Sequence, residues 1–189
     1  MNSDASIQFK IASEQWEFEA IHRLNYKTFV EEIPQHANNA EQRLVDKFHP
    51  ENTYVIGLRG RQLAAMVAIR HTRPFSLDER LGNLDSFLPL GRRVCELRLL
   101  AVATRERQGR VLPALLAATW RYCRDQQYDL AVISAFTRQR KLYEHLGFEP
   151  FGPVIGTPQA SFQPMMLTLE RFRPRAEALF RRATDARRV

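Results

Sequence analysis

Apolar positions along the chain change their spacing several times, and each change marks an element. Residues Ile7 to Ile11 alternate weakly, as a short strand does. From Trp16 onward Ala20, Ile21, Leu24, Thr28 and Phe29 recur at three- and four-residue steps, which predicts a helix that Pro34 closes. Polar residues Gln35 to Asn39 read as a turn, and a short helix is expected from about Glu41 to Phe48. The runs NTYVIGL (52–58) and LAAMVAIR (63–70) flank Arg59-Gly60-Arg61-Gln62 and predict an antiparallel hairpin. Residues 71–92, with Pro74, Gly82, Pro89 and Gly91, form a long connection with one helical turn near Leu77 to Leu81. A connection of that length inside a folded domain usually has a function.

The second half is more strongly patterned. Val94 to Val102 (VCELRLLAV) reads as a central, mostly apolar strand. Leu112, Leu115, Leu116, Thr119, Trp120 and Cys123 share one face of a helix over 111–122, and Pro113 sits in its first turn, where a missing amide costs little. Leu130 to Ala135 is a buried strand, Arg138 to Leu146 a short helix with Gly147 as its left-handed cap, and Phe162 to Leu169 a last strand. The predicted order is β-α-α-β-β-loop-β-α-β-α-β-α, a mixed α/β sandwich without internal repeats.

Composition narrows the class. A chain of 189 residues suits one domain, and at that length roughly 70% of the unfolded surface is buried without a disulfide or metal staple. Hydrophobic residues at 44% and charged residues at 26% exclude a disordered chain. No apolar run reaches the ~18 residues of a membrane span, and MNSDASIQFK lacks the pattern of a secretory signal, so a cytoplasmic protein is expected. Cys95 and Cys123 sit in apolar segments without metal-ligand spacing and are expected to be reduced, buried thiols. His22, His49 and His145 show no clustering, so no metal site is assigned. The net charge of +7 favours polyanionic partners. Much of it lies in residues 173–189, where Arg173, Arg175, Arg181, Arg182, Arg187 and Arg188 oppose Glu177 and Asp185; this stretch reads as a solvated helix or tail beyond a domain of residues 1–172. No nucleic-acid-binding motif accompanies the charge.

Three segments carry a resemblance. Glu96-Leu-Arg-Leu-Leu-Ala-Val102, the run RQGRVLPALL (107–116), and Leu142-Tyr143-Glu144-His145-Leu146-Gly147-Phe148 together resemble the GCN5-related N-acetyltransferase (GNAT) superfamily. The resemblance implies an α/β fold with a mixed twisted sheet flanked by helices, splayed between the Val94–Val102 and Leu130–Ala135 strands. It implies acyl transfer from a thioester, acetyl-CoA or a longer acyl-CoA, to an amine by direct attack, without a covalent enzyme intermediate. Arg107, Gln108, Gly109, Arg110, Val111 and Leu112 would hold the coenzyme, because free amides and the dipole at a helix start attract phosphate. A backbone amide at Leu100, Ala101 or Val102 would polarise the thioester carbonyl. Tyr143 would protonate the leaving thiolate, since a phenol of pKa ~10 keeps its proton at neutral pH. Glu96, the acidic residue of the apolar strand, has two readings: acceptor of the amine proton, directly or through water, or a buried carboxylate paired with Arg98 or Arg70. The coenzyme loop departs from the superfamily pattern. Arg110 and Leu112 stand where small residues belong, and Gly109 falls one position early.

A narrower resemblance covers the N-terminal half. Arg23-Leu-Asn-Tyr-Lys-Thr-Phe29-Val-Glu31-Glu32, then Asp46, then Ala68-Ile-Arg70-His-Thr-Arg-Pro74 and the long 71–92 connection are similar in layout to the autoinducer synthases and long-chain N-acyl amino acid synthases. In that branch the donor is an acyl-carrier-protein thioester, which presents one phosphate and tolerates a weak diphosphate cradle; an acidic carrier would suit the basic chain. The layout makes Arg23, Phe29, Glu31, Glu32, His36 and Arg70 candidates for recognising a small-molecule amine acceptor. Phe75, Leu77, Leu81, Leu84 and Phe87 either line an acyl tunnel or cover the sheet. A module that binds an acyl thioester, a fused enzyme or a partner domain without catalysis is the alternative from another class.

Overall fold

The computed structural model describes residues 6–107, 109–157 and 160–185, with side chains described as far as residue 178. The elements are β1 (Ile7–Ile11), α1 (Gln15–Tyr26), β2 (Thr53–Arg59), β3 (Gln62–Arg70), α2 (Ser76–Leu81), β4 (Val94–Val102), α3 (Val111–Asp125), β5 (Leu130–Phe136), α4 (Arg140–Leu146), β6 (Glu149–Pro150), β7 (Ile155–Gly156), β8 (Ser161–Thr168) and α5 (Leu169–Asp185). This is the mixed α/β architecture expected. The described strands make an eight-stranded mixed sheet in the order β1-β2-β3-β4-β5-β8-β6, with β7 paired to β8.

The chain divides into two compact units, residues 1–69 with 99–119 and residues 70–98 with 120–189, so β4 contributes to both. In the first unit β1, β2 and β3 form an antiparallel meander, with Phe9 opposite Gly57 and Val55 opposite Val67. A side chain at position 57 would meet the Phe9 ring at 2.8 Å, so this register requires glycine there. One core joins Ile21 and Leu24 of α1 to Tyr54, Ile56, Met66, Ala68 and Ala101, with Phe29 and Leu99 against it. Each large apolar side chain buried this way contributes about 1.5–3 kcal/mol.

The second unit is built on β5. Its parallel ladder to β4 pairs Val94 with Leu130, Cys95 with Ala131 and Glu96 with Val132 and, among the described residues, goes no further, as expected for strands that splay. Its antiparallel ladder to β8 runs from Leu130–Thr168 to Phe136–Phe162. Phe75 and Leu77 of the long connection, with Leu84, pack on Val132 and Phe151. Those three are at most 1% exposed, so they cover the sheet, whereas Phe87 is 37% exposed.

Two sequence expectations change. The helix expected from Glu41 to Phe48 is an irregular loop followed by a 3-10 turn at His49–Glu51. Gln42 takes φ +51, the Asn39 side chain bonds the backbone of Arg43, and Asp46 accepts from the Phe48 amide at 2.7 Å. Short polar side chains compete with the helical backbone for its own hydrogen bonds, and here they win. The helix after Tyr26 widens into a π-turn over Lys27–Glu32. The boundary at residue 173 falls inside α5, a 17-residue helix whose Phe172 and Ala176 are buried while Arg173 and Arg175 are exposed. Residues 186–189, with Arg187 and Arg188, lie outside the described residues, as do the side chains of Arg181, Arg182 and Asp185.

Candidate active site

In the first unit the π-turn and the loop before α3 come together. Glu32 accepts from Thr104 Oγ1 at 3.1 Å and forms an ion pair with Arg107. Arg107 Nε also donates to the Val102 carbonyl at 2.9 Å. Arg107 and Glu32, assigned separately to coenzyme and acceptor, are thus partners of one another. Phe29 is half-buried against the core, Glu31 is exposed, and Arg23 is exposed and pairs with Glu19 at 2.9 Å. His36 is exposed.

The loop is fixed from below by a second ion pair. Arg59 donates through Nε at 3.0 Å and Nη2 at 2.9 Å to the two oxygens of Glu106. Glu106 ends a 3-10 turn over Thr104–Glu106, and its carbonyl accepts from the Gly109 amide at 3.3 Å. Gly109 and Arg110 are exposed, Val111 is buried and Leu112 half-buried; Gln108 lies outside the described residues. A Cβ at Gly109 would meet the Glu106 carbonyl at 3.6 Å, an ordinary contact, so the backbone shape of this loop does not depend on that glycine. At the start of α3 the amides of Val111 and Leu112 precede the first helical hydrogen bond and Pro113 has none to offer.

The Arg59 guanidinium holds the Glu106 carboxyl below its usual range. A depressed folded value means that this stabilisation is complete above the unfolded carboxylate pKa of about 4.3 and is lost as pH falls through the folded value. Arg59→Ala is therefore expected to move the acid-unfolding midpoint to higher pH, measured by circular dichroism; an unchanged midpoint would show that the pair does not hold this loop.

Leu99 takes φ +51 inside β4. A left-handed leucine costs about 1–2 kcal/mol, and a strand interrupted this way turns its next peptide out of the regular ladder. Leu100 and Val102 beyond it are half-buried and Ala101 is 2% exposed.

In the second unit Glu96 is fully buried and already hydrogen-bonded. It accepts from the Ser76 amide at 2.9 Å, the Ser76 hydroxyl at 2.5 Å and Arg98 Nη1 at 3.4 Å. Of the two suggested partners, Arg98 is paired with it. Arg70, 1% exposed, donates Nε to the Pro74 carbonyl at 2.9 Å and so fixes the chain as it leaves β3. By accepting from the Ser76 amide and hydroxyl, Glu96 holds the first turn of α2.

Tyr143 lies on α4, half-buried, its ring edge-on to Phe148 at 6.0 Å. Its hydroxyl has no hydrogen-bond partner among the described residues. Burial pushes the phenol above its ordinary value, which keeps the proton in place. Gly147 ends α4 at φ +100; its amide and that of Phe148 donate to Glu144 and Tyr143 at 2.9 and 3.0 Å, a closure that fixes the turn carrying Tyr143. Cys95 and Cys123 are buried with their sulfurs 3.8 Å apart. The Cys123 thiol and burial raise Cys95 well above the ordinary thiol range, which makes it a poor nucleophile.

Sequence reading missed several groups. His22 and His49, taken as unclustered, have ring centroids 4.7 Å apart, with Arg43 at 3.3 Å from His22 Nδ1 and Tyr54 at 3.0 Å from His49 Nδ1. No group of three or more His, Cys, Asp or Glu suited to a metal occurs among the described residues. Asn25, fully buried on α1, and Thr28 leave their side-chain polar atoms unpartnered. Ser76 hid inside a long connection, although Ser76-Leu-Asp-Glu79 is a helix-start pattern. Arg80 gave no periodic or motif signal at all.

Comparisons with known proteins agree with this architecture. The acyl-homoserine lactone synthase BjaI, described as CoA-dependent, superposes with a TM-score of 0.80 at 20% identity, covering 94% of this chain and 89% of that one. The synthase LasI gives 0.72 at 16% identity, over 87% and 91% of the two chains. FeeM, an N-acyl amino acid synthase from uncultured soil microbes, gives 0.69 at 16% identity, over 90% and 95%. No curated protein matches. No described helix is long and apolar enough to cross a membrane. A family model described as N-acyl amino acid synthase FeeM matches residues 20–170, and the chain belongs to that family of GNAT-like N-acyltransferases.

Proposed function

We propose that the protein transfers an acyl group from an acyl-CoA thioester to the α-amine of an amino acid by direct attack. The observation that carries this reading is the family match over residues 20–170, a span that includes every residue the mechanism uses. The donor's phosphates lie at the Arg110–Leu112 start of α3, and a β4 amide near Leu100 bonds the thioester oxygen as negative charge develops on it. The acceptor amine attacks the carbonyl carbon, forming the C–N bond and breaking C–S. Its proton passes to Ser76 Oγ as Ser76 gives its own proton to Glu96; the bond between those groups makes the relay short. Tyr143 gives its proton to the departing thiolate. Phe29, Glu31 and Arg23 are assigned to the acceptor, while Glu32, through Arg107, and Arg70, through the Pro74 carbonyl, each hold the backbone of their own unit. The raised thiol of Cys95 and the burial of both Cys95 and Cys123 leave no cysteine fit to carry the acyl group. Such a protein works in the cytoplasm, where acyl thioesters are made.

One observation favours acyl-carrier protein as the donor instead. Arg107, expected to hold phosphate, is bound to Glu32 and Val102, so the cradle is left with fewer cations, which suits a phosphopantetheine arm with one phosphate. A C2–C16 acyl series on both carriers at two ionic strengths decides. With an acidic carrier protein kcat/KM falls steeply with salt, because a chain of net charge +7 steers it. With CoA thioesters the fall is shallow. Thiol release from CoA thioesters that requires an added amino acid supports the main reading; release from carrier protein alone replaces CoA with the carrier.

A further inference from the structure

The second unit holds a cluster that the mechanism above leaves unused. Glu96 pairs in register with Val132, so two residues further along each strand Arg98 and Ser134 stand on that same face of the sheet. β8 continues the face, with Pro164 opposite Ser134 and Phe162 opposite Phe136. α2 lies over it through Leu77, in one apolar cluster with Val132. From the last turn of α2, Arg80 donates Nη1 to Ser134 Oγ at 3.2 Å and lays its guanidinium over the Phe162 ring, 4.8 Å from the centroid. We infer that Arg80, Arg98 and Ser134 form the seat for the carboxylate of the amino-acid acceptor.

The orientation of Arg80 suits a carboxylate. Two guanidinium groups meet here, and the carboxylates facing them are Glu96 and Glu79. Glu96 already accepts from Ser76 twice and from Arg98. Glu79 is exposed on α2. Partial burial and then the Arg98 cation lower the affinity of Arg80 for its proton, while Glu96 and Glu79 act in the other direction. The Phe162 ring fixes the plane of Arg80, and a planar, oriented guanidinium matches a carboxylate through two parallel N–H bonds. Ser134 accepts from Arg80 and keeps its own hydrogen for a second carboxylate oxygen. Ser76 and Glu96 lie on the same face, so an α-amino acid seated by its carboxylate presents its amine towards the proton relay.

The inference rests on the amino-acid reading above, and the test separates the two. The full chain is assayed with an acyl thioester and each of the twenty amino acids. The best acceptor is then compared with its primary amide and its decarboxylated amine, for the unmodified protein, Arg80→Ala and Arg80→Lys. Arg80→Ala is expected to raise KM for the amino acid about 10- to 100-fold, the scale of a charge-assisted hydrogen bond. KM for the thioester and kcat/KM for the decarboxylated amine stay within about 2-fold, and Arg80→Lys recovers part of the loss because it keeps the charge but not the fork. If KM for the thioester rises instead, the anion at Arg80 is a donor phosphate and the inference fails. Equal loss for the amino acid and its amine also overturns it, while the function above stands. If the unmodified protein acylates none of the twenty, the amino-acid reading fails and the inference with it.

Discussion

Replacing Tyr143 by Phe is expected to leave the fold intact and lower turnover about 10- to 1000-fold, the scale of a lost general acid. The ring keeps its edge contact with Phe148, and no hydrogen bond of the described residues is lost, because the hydroxyl has no partner there. Stability and catalysis are therefore separable at this position. The pH profile adds a second readout. Burial raises the phenol above its usual range, so its protonated form persists to a pH above about 10 and activity in the unmodified protein does not fall from this group before then. The Phe variant has no such alkaline limb. Wild-type turnover by Tyr143→Phe across pH 6 to 9 would remove Tyr143 from the reaction.

The largest loss of stability is expected at Glu96. Glu96→Ala removes the acceptor of the Ser76 amide and hydroxyl and the counter-charge of Arg98, with the Glu96 and Arg98 side chains only 1% and 14% exposed. Removing one partner of a buried ion pair costs about 3–5 kcal/mol. Glu96→Gln keeps an oxygen for Ser76 but not the charge, and a loss nearer 1–3 kcal/mol is expected. Urea unfolding of the two variants measures both. An unchanged midpoint for Glu96→Ala would show that the carboxylate does not anchor α2. Glu96→Gln also tests the relay, since an amide cannot take the proton from Ser76: full turnover in a folded Gln variant would route the amine proton elsewhere.

Where the sequence was legible, one physical signal spoke alone. The 53–70 hairpin, β4, α3, β5 and the Gly147 cap were each announced by periodicity or by a glycine that the backbone needs. The 41–48 segment failed because Asn39 and Asp46 bond locally, and a helical spacing of Leu44, Val45 and Phe48 does not reveal that competition. Tyr143 and Glu96 stood out as candidates because a phenol before a Leu-Gly-Phe helix end and an acid in an apolar strand are both unusual. Their surroundings did not stand out. Ser76 reaches Glu96 across 20 residues of sequence and Arg80 reaches Ser134 across 54. Arg107 binds Glu32 from 75 residues away, which turned two candidates with separate roles into one ion pair. Long-range pairing of polar side chains leaves no period in a sequence, so these contacts had to come from the fold.

The central claim is that this chain makes an amide bond between an acyl group and an amino acid. The direct measurement is mass spectrometry of the products formed from an isotopically labelled acyl-CoA and a mixture of the twenty amino acids, with the folded Tyr143→Phe protein run alongside. The account predicts a labelled N-acyl amino acid together with free CoA in equal amounts, greatly reduced in the variant. Free CoA with labelled fatty acid and no N-acyl product would contradict it.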